Sequence, residues 1–161
     1  MSTFDQIILV AGESCTHGQL VADENATPKA IRIDVRDLTA VAQNLNENSV
    51  TYFDMLSCAT GVDNGPDAAT MEVIYNLYSI PFDHQLMVKV TVPRDRPEVD
   101  SVCHIWKTAN WHEREIFDLY GIHFRNHPDL RRILLPADWE GHPLRKDYKH
   151  QDYYREVKVE Y

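Results

Sequence analysis

No CxxC pair occurs in the 161 residues, and the three cysteines, Cys15, Cys58 and Cys103, are isolated and odd in number. Iron–sulfur clusters and structural zinc draw on several closely spaced thiolates, so this chain alone is expected to hold neither. An odd, scattered set also speaks against a disulfide framework and for a reducing compartment, with the thiols buried or idle. No stretch approaches the roughly 20 apolar residues of a membrane-spanning helix; the longest early apolar run is residues 7–11. A glycine-rich phosphate loop is missing too, since Gly61 and Gly65 lack the GxGxxG spacing and Gly141 opens nothing helical. Positive charge is scarce at the front: residues 1–80 carry 3 basic and 11 acidic groups, residues 81–161 carry 13 and 14, and the net charge is -9. Such a field repels a nucleic-acid backbone and an anionic lipid surface alike. The opening Met1-Ser2-Thr3-Phe4-Asp5 places an acid where a secretory signal has bases, so a cytoplasmic location is expected.

What is present fits one domain plus an extension, because 161 residues of which 43% are apolar can bury one ordinary core. Alternation over residues 30–35 predicts a strand, and Leu38, Val41, Ala42 and Leu45 at i, i+3, i+4 and i+7 predict a helix over 37–47. Three segments rich in β-formers follow, 52–59, 71–80 and 86–92, parted by the turn-like runs 61–66 and 81–83. In the last of them Val88, Val90 and Val92 alternate with Lys89 and Thr91, which predicts one wet face, and Pro93 ends it. Pro97 at a first turn, with Val99, Val102, Cys103 and Trp106 as a buried stripe, predicts a helix over 98–109. A short helix over 111–120 follows, with Asn110 and Glu113 as a capping box and Gly121 as its left-handed C-terminal cap. Trp106 and Trp111 are expected in the core. The fold class is therefore α+β, a mostly antiparallel sheet packed with helices, occupying residues 1–121.

Beyond Gly121 the periodicity fails, because Pro128, Pro136, Gly141 and Pro143 interrupt every window. Yet Phe124, Leu130, Ile133, Leu134, Leu135, Trp139 and Leu144 are too much apolar surface to leave in water. From residue 113 to 149 there are seven acids and seven bases. An extended arm over 122–161, lying across another protein, accounts for both properties, with Trp139 as an anchor.

The densest cluster is Glu113-Arg114-Glu115 with Asp118, then Leu119-Tyr120-Gly121-Ile122 and His127-Pro128-Asp129-Leu130-Arg131-Arg132-Ile133-Leu134. On a helix Arg114 and Asp118 are i, i+4 neighbours able to pair, and Glu113 and Glu115 lie about 200° apart around the axis. Two carboxylates so placed face different partners, which suits separate ion-pair contacts and not shared acid–base work. This run resembles the signature of the 30-kDa, C-type subunit of respiratory complex I, the NADH:quinone oxidoreductase, in its bacterial form. The signature's Glu-Arg-Glu falls on Glu113, Arg114 and Glu115, its acid on Asp118, its later His on His127, and its basic residue on Arg131 ahead of Ile133 and Leu134. Pro93-Arg94, residues 101–111 and Gly141-His142-Pro143-Leu144-Arg145-Lys146-Asp147-Tyr148 are similar as well, so the likeness runs from about Ile31 to Tyr148. The family often has Pro where this chain has Lys149.

The resemblance implies a non-redox, structural subunit of the hydrophilic arm of a proton-translocating enzyme, peripheral on the cytoplasmic side of the inner membrane. It implies packing against the large quinone-site subunit of the D type, with B- and I-type subunits nearby. NADH, FMN, the Fe–S clusters and quinone would belong to those neighbours. The contact residues expected on this basis are Glu113, Arg114, Glu115, Asp118, His127, Asp129, Arg131, Arg132, Trp139, Arg145, Lys146 and Asp147. A homologous subunit of a related dehydrogenase or membrane-bound hydrogenase is the nearest alternative. A metal enzyme is the remote one: six of eight histidines follow residue 100, but His112-Glu113 is followed by Ile116 where the zinc motif HExxH needs its second His.

Overall fold

A computed structural model describes residues 3–159 of the chain. It opens with a helix α1, Thr3–Glu13, whose buried Phe4, Ile7, Val10 and Ala11 repeat at helical spacing. The exposed Leu9 beside them blurs that pattern in the sequence. A second helix, α2, spans Leu38–Glu47 and buries Leu38, Val41, Ala42 and Leu45, the stripe the spacing predicts. The two helices are joined by Asn44, whose Nδ2 donates to the Val10 carbonyl at 2.7 Å and to Ser14 Oγ at 3.1 Å.

Five strands form the main sheet: β1 Val21–Asp23, β2 Ala30–Ile33, β3 Met55–Asp63, β4 Thr70–Ser79 and β5 His84–Pro93, in the order β1-β2-β5-β4-β3. All neighbours are antiparallel except β2 and β5. Register explains the core: Ile31, Val88, Tyr75 and Ala59 form one row across the sheet, Ile33, Val90, Val73 and Gly61 the next, and all are buried on one face. The row between them, Arg32, Lys89, Ile74 and Thr60, stays open, so β5 has the wet face its alternation predicts. The run 61–63, read as turn from its Gly and Asp, completes β3 instead, because its backbone pairs with Met71, Glu72 and Val73.

The helix expected over 98–109 does not form. Residues Glu98–Asp100 are a short strand, β6, pairing in parallel with β7, His123–Arg125. Asp100 holds Arg125 through two hydrogen bonds of 3.0 and 2.9 Å, and the chain then turns through residues 101–108. The stripe itself is correct, since Val99, Val102, Cys103 and Trp106 are all buried. A partner strand more than twenty residues downstream supplies Glu98–Asp100 with cross-strand hydrogen bonds that a local periodicity cannot register. With Ile122 and Phe124 in the core, the packed body runs past Gly121 to Arg125.

The third helix, α3, covers Ala109–Tyr120 and ends on Gly121 at φ 73°, the left-handed cap expected. Its N-cap is Thr108 and not Asn110, and no capping box forms. The Thr108 hydroxyl donates to the Leu56 carbonyl at 3.2 Å, and Glu113 is drawn away to Ser101 and Val102. Trp106 is core, its indole donating to the Phe53 carbonyl at 2.9 Å, whereas Trp111 is 63% exposed, contrary to expectation. Helix α3 lies on β3 through Gly61, where a Cβ would meet Tyr120 at 2.8 Å. Among the described residues after 125, only a two-residue pair of strands, β8 Tyr153–Tyr154 and β9 Val157–Lys158, is regular.

Candidate functional site

Helix α3 and the segment that returns over it bring most of the signature residues together. Glu113 is fully buried and accepts from Ser101 Oγ at 2.6 Å, the Val102 N–H at 2.8 Å and Cys103 Sγ at 3.2 Å. Burial pushes its carboxyl up from the ordinary value against the pull of those donors. The same burial pushes the Cys103 thiol up to about 12. His127, whose ring is also buried, stands 4.0 Å from the Glu113 carboxylate.

Asp118 is the opposite case, although it too is fully buried. Its Oδ2 accepts three successive backbone N–H groups, from Ile133, Leu134 and Leu135 at 2.8 to 3.0 Å, and Arg132 donates to Oδ1 at 2.8 Å. Burial opposes its charge, but those donors outweigh it and hold the carboxyl below its ordinary value. The i, i+4 pairing of Asp118 with Arg114 is therefore not made. Arg114 donates to the carbonyls of Arg131 and Arg132 and stacks over the Trp111 ring at 5.3 Å. Glu115 points into solvent, as the angular separation from Glu113 requires.

The remaining expected contact residues serve the same segment. Arg132 also reaches the carbonyls of Trp139 and Gly141. Arg131 pairs locally with Asp129 on the surface, whose own N–H donates to His127 Nδ1. Arg145 donates to the Tyr120 carbonyl at 2.7 Å, and His142 to that of Asp118 at 2.9 Å. Trp139 is half-buried, its indole donating to the Tyr148 hydroxyl at 3.1 Å. Lys146 meets directly, and Asp147 reaches through Arg94, a residue that sequence reasoning passed over: Asp63, at the end of β3 and buried. Asp63 accepts from Arg94 at 2.8 and 3.0 Å and from the Lys146 N–H at 2.8 Å, while Arg94 also bonds Asp147. The Arg94 guanidinium keeps the Asp63 carboxyl well below the usual range. Its one sequence signal, an acid closing an alternating strand before Asn64-Gly65, reads as a turn.

Cys103, Glu113 and His127 place a sulfur, a carboxylate oxygen and a ring nitrogen within 4.8 Å of one another, the geometry a cation would ask for. Each atom is already engaged. The thiol donates to Glu113, and His127 accepts the Asp129 N–H at Nδ1, so its Nε2 carries the proton donated to the Asn110 carbonyl at 3.1 Å. A metal at Nε2 would have to displace that proton and ionise a thiol that burial keeps neutral. The donor set fits a closed hydrogen-bond network better than a cation.

Residues 31–154 match the family model of the respiratory-chain NADH dehydrogenase, 30 Kd subunit. The C-type NADH-quinone oxidoreductase subunit of Chloroherpeton thalassium is 43% identical over 148 residues, which are 89% of this chain and 61% of that protein. That of Chlorobium phaeobacteroides is 42% identical over 86% of this chain and 84% of its own length. In fold, the chain is similar to a chain of the membrane-bound sulfane sulfur reductase, an archaeal respiratory membrane complex, with a TM-score of 0.75 and 20% identity, covering 92% of this chain and 86% of the other. A trypsin-resistant fragment of Nqo5 superposes at a TM-score of 0.61 with 23% identity, over 80% of this chain and the whole of the fragment.

Proposed function

The chain belongs to the family of the 30-kDa subunit of the respiratory-chain NADH dehydrogenase, and we propose that it serves an assembled, proton-translocating NADH:quinone oxidoreductase as a structural subunit of the peripheral arm, not as a redox catalyst. One observation carries this reading: the buried charges of α3 and the returning segment are spent on holding the two together and on the turn before α3, and large apolar side chains are left outside. Glu113, Asp118, Arg132 and Arg145 are all satisfied within the chain, so none is poised to hand a proton or electron pair to a substrate. Trp111 and Leu134, on the helix and on the segment crossing it, are 63% and 62% exposed. Large apolar groups beside a rigid, fully bonded frame suit a permanent partner.

The partner that the family points to is the large quinone-site subunit of the D type, with B and I types adjoining. NADH, FMN, the Fe–S clusters and quinone are assigned to partner subunits, which agrees with the closed network around Glu113. No helix among the described residues is long and apolar enough to cross a membrane, and attachment at the cytoplasmic face through partner subunits is the location proposed.

Trp111→Ala combined with Leu134→Asp tests the reading, with affinity-tagged large subunit as bait. The isolated double variant should melt within a few degrees of the parent, because both side chains are mostly exposed and the Arg114 stacking on Trp111 contributes about 0.5 to 1 kcal/mol. Loss of the chain from the purified complex by about tenfold is expected, as for a truncated interface anchor. Full assembly with collapsed turnover would point instead to a direct part in the quinone reaction.

A further inference from the structure

At the end of β3 remote from Asp63 the chain exposes a second apolar surface. Val50, Tyr52 and Met55 precede or open β3, Ile80 and Phe82 lie in the turn between β4 and β5, and each is 42% to 60% exposed. They are fixed as a group. The Ile80 N–H donates to Asp54 at 2.9 Å, Met55 pairs with Tyr78 across the strands, and Phe82 stacks on His84 with ring centroids 5.8 Å apart. His84 is itself pinned, bonding the Thr51 carbonyl at 2.7 Å and packing on Phe53, and with Val50 and Phe82 it lines one shallow groove. Contiguous apolar patches of about 300 to 600 Å² on a monomer mark contact sites, whereas scattered single residues do not.

Charge says what kind of contact. Between Arg36 and Lys89 there is no Lys or Arg, and Glu47, Asp54 and Asp83 stand around the patch, while Lys29, across His84 in the adjoining groove, is paired with Glu24 at 3.3 Å. A second copy of this chain would bring those acids against their own images, and an anionic lipid surface would be repelled. We propose that this end of the sheet docks another polypeptide through an apolar segment flanked by Lys or Arg. The inference rests on the reading that the chain works inside an assembly, and adds a contact made by other residues than Trp111 and Leu134.

The test is photo-crosslinking in the full chain expressed with the rest of its complex. Phe82 in one sample, and Trp111 in another, is replaced by p-benzoylphenylalanine, and the cross-linked peptides are sequenced by mass spectrometry. Position 82 should capture an apolar segment with basic residues on its flanks, belonging to another polypeptide. Ile80→Asp should lower that yield by about tenfold while the melting temperature and the capture at position 111 stay as they were. An acidic segment, a second copy of this chain, lipid, or an unchanged yield with Ile80→Asp overturns the proposal. So does silence at position 82 with capture at position 111, which leaves the reading as an assembled component standing; silence at both positions takes the two down together.

Discussion

Glu113 and Asp118 lie five residues apart on one helix, are both closed to solvent, and are shifted in opposite directions. Depth and donors both differ: Glu113 is set deeper in the protein with a hydroxyl, one N–H and a thiol, whereas Asp118 has three backbone N–H groups and a guanidinium. Linkage turns this into opposite pH dependences. For Glu113 the native state binds the proton more tightly than the unfolded chain, so its contribution is largest below the ordinary value of 4.5 and is lost as pH rises through the native one. For Asp118 the contribution is present above 3.8 and is lost as pH falls through its lowered native value. Urea unfolding followed against pH should therefore show that Glu113→Gln removes a loss of stability on the alkaline side of 4.5, whereas Asp118→Asn removes one on the acid side of 3.8. Because Asp118→Asn removes the charge facing Arg132 and turns an NH2 toward either Arg132 or the three N–H groups, it should cost about 3 to 5 kcal/mol at neutral pH.

At the scale of elements, the junction of α3 with the returning segment depends on Gly121. Its φ of 73° disfavours any side chain, and a Cβ there would stand 2.5 Å from His142 Nε2 and 2.8 Å from the Arg145 guanidinium. Both side chains would be pushed off the carbonyls of Asp118 and Tyr120 that they now bond. Gly121→Ala is expected to cost about 2 kcal/mol, read as a lowered midpoint in thermal or urea unfolding. An unchanged midpoint would mean that the segment is not held by these bonds. That cap was legible in the sequence because a helix C-terminus is a local event. The helix expected over 98–109 failed for the complementary reason: β6 exists only because β7 lies beside it.

For the molecule as a whole, the last third of the chain is tied to the sheet at Asp63. Arg94 is the tie, bridging buried Asp63 to Asp147, which is more than half exposed and contributes little by itself. Arg94→Ala leaves Asp63 buried without its cation and should cost about 3 kcal/mol. The segment after Lys146 should also open more often, and trypsin should cut at Lys149 about tenfold faster than in the parent. Equal cleavage rates would show that the hydrogen bonds around Asp118 and Gly121 suffice to hold it.

Residue order by itself determined the family, the α+β class, the stripe of α2, the alternation of β5 and the Gly121 cap, since each is written in neighbours a few positions apart. It also marked Glu113, Arg114, Glu115, Asp118, Arg132 and Arg145 as candidates for contact, without saying which partners they would meet. Only the tertiary structure decided whom they contact: Asp118 meets Arg132 and not Arg114, Glu113 meets Ser101 and Val102, and Asp63 becomes the anchor of the tail. A buried charge takes whichever donors the fold delivers once water is gone, and apart from the Gly65 N–H on Asp63 those donors come from 10 to 83 positions away. No periodicity of a single segment encodes that delivery.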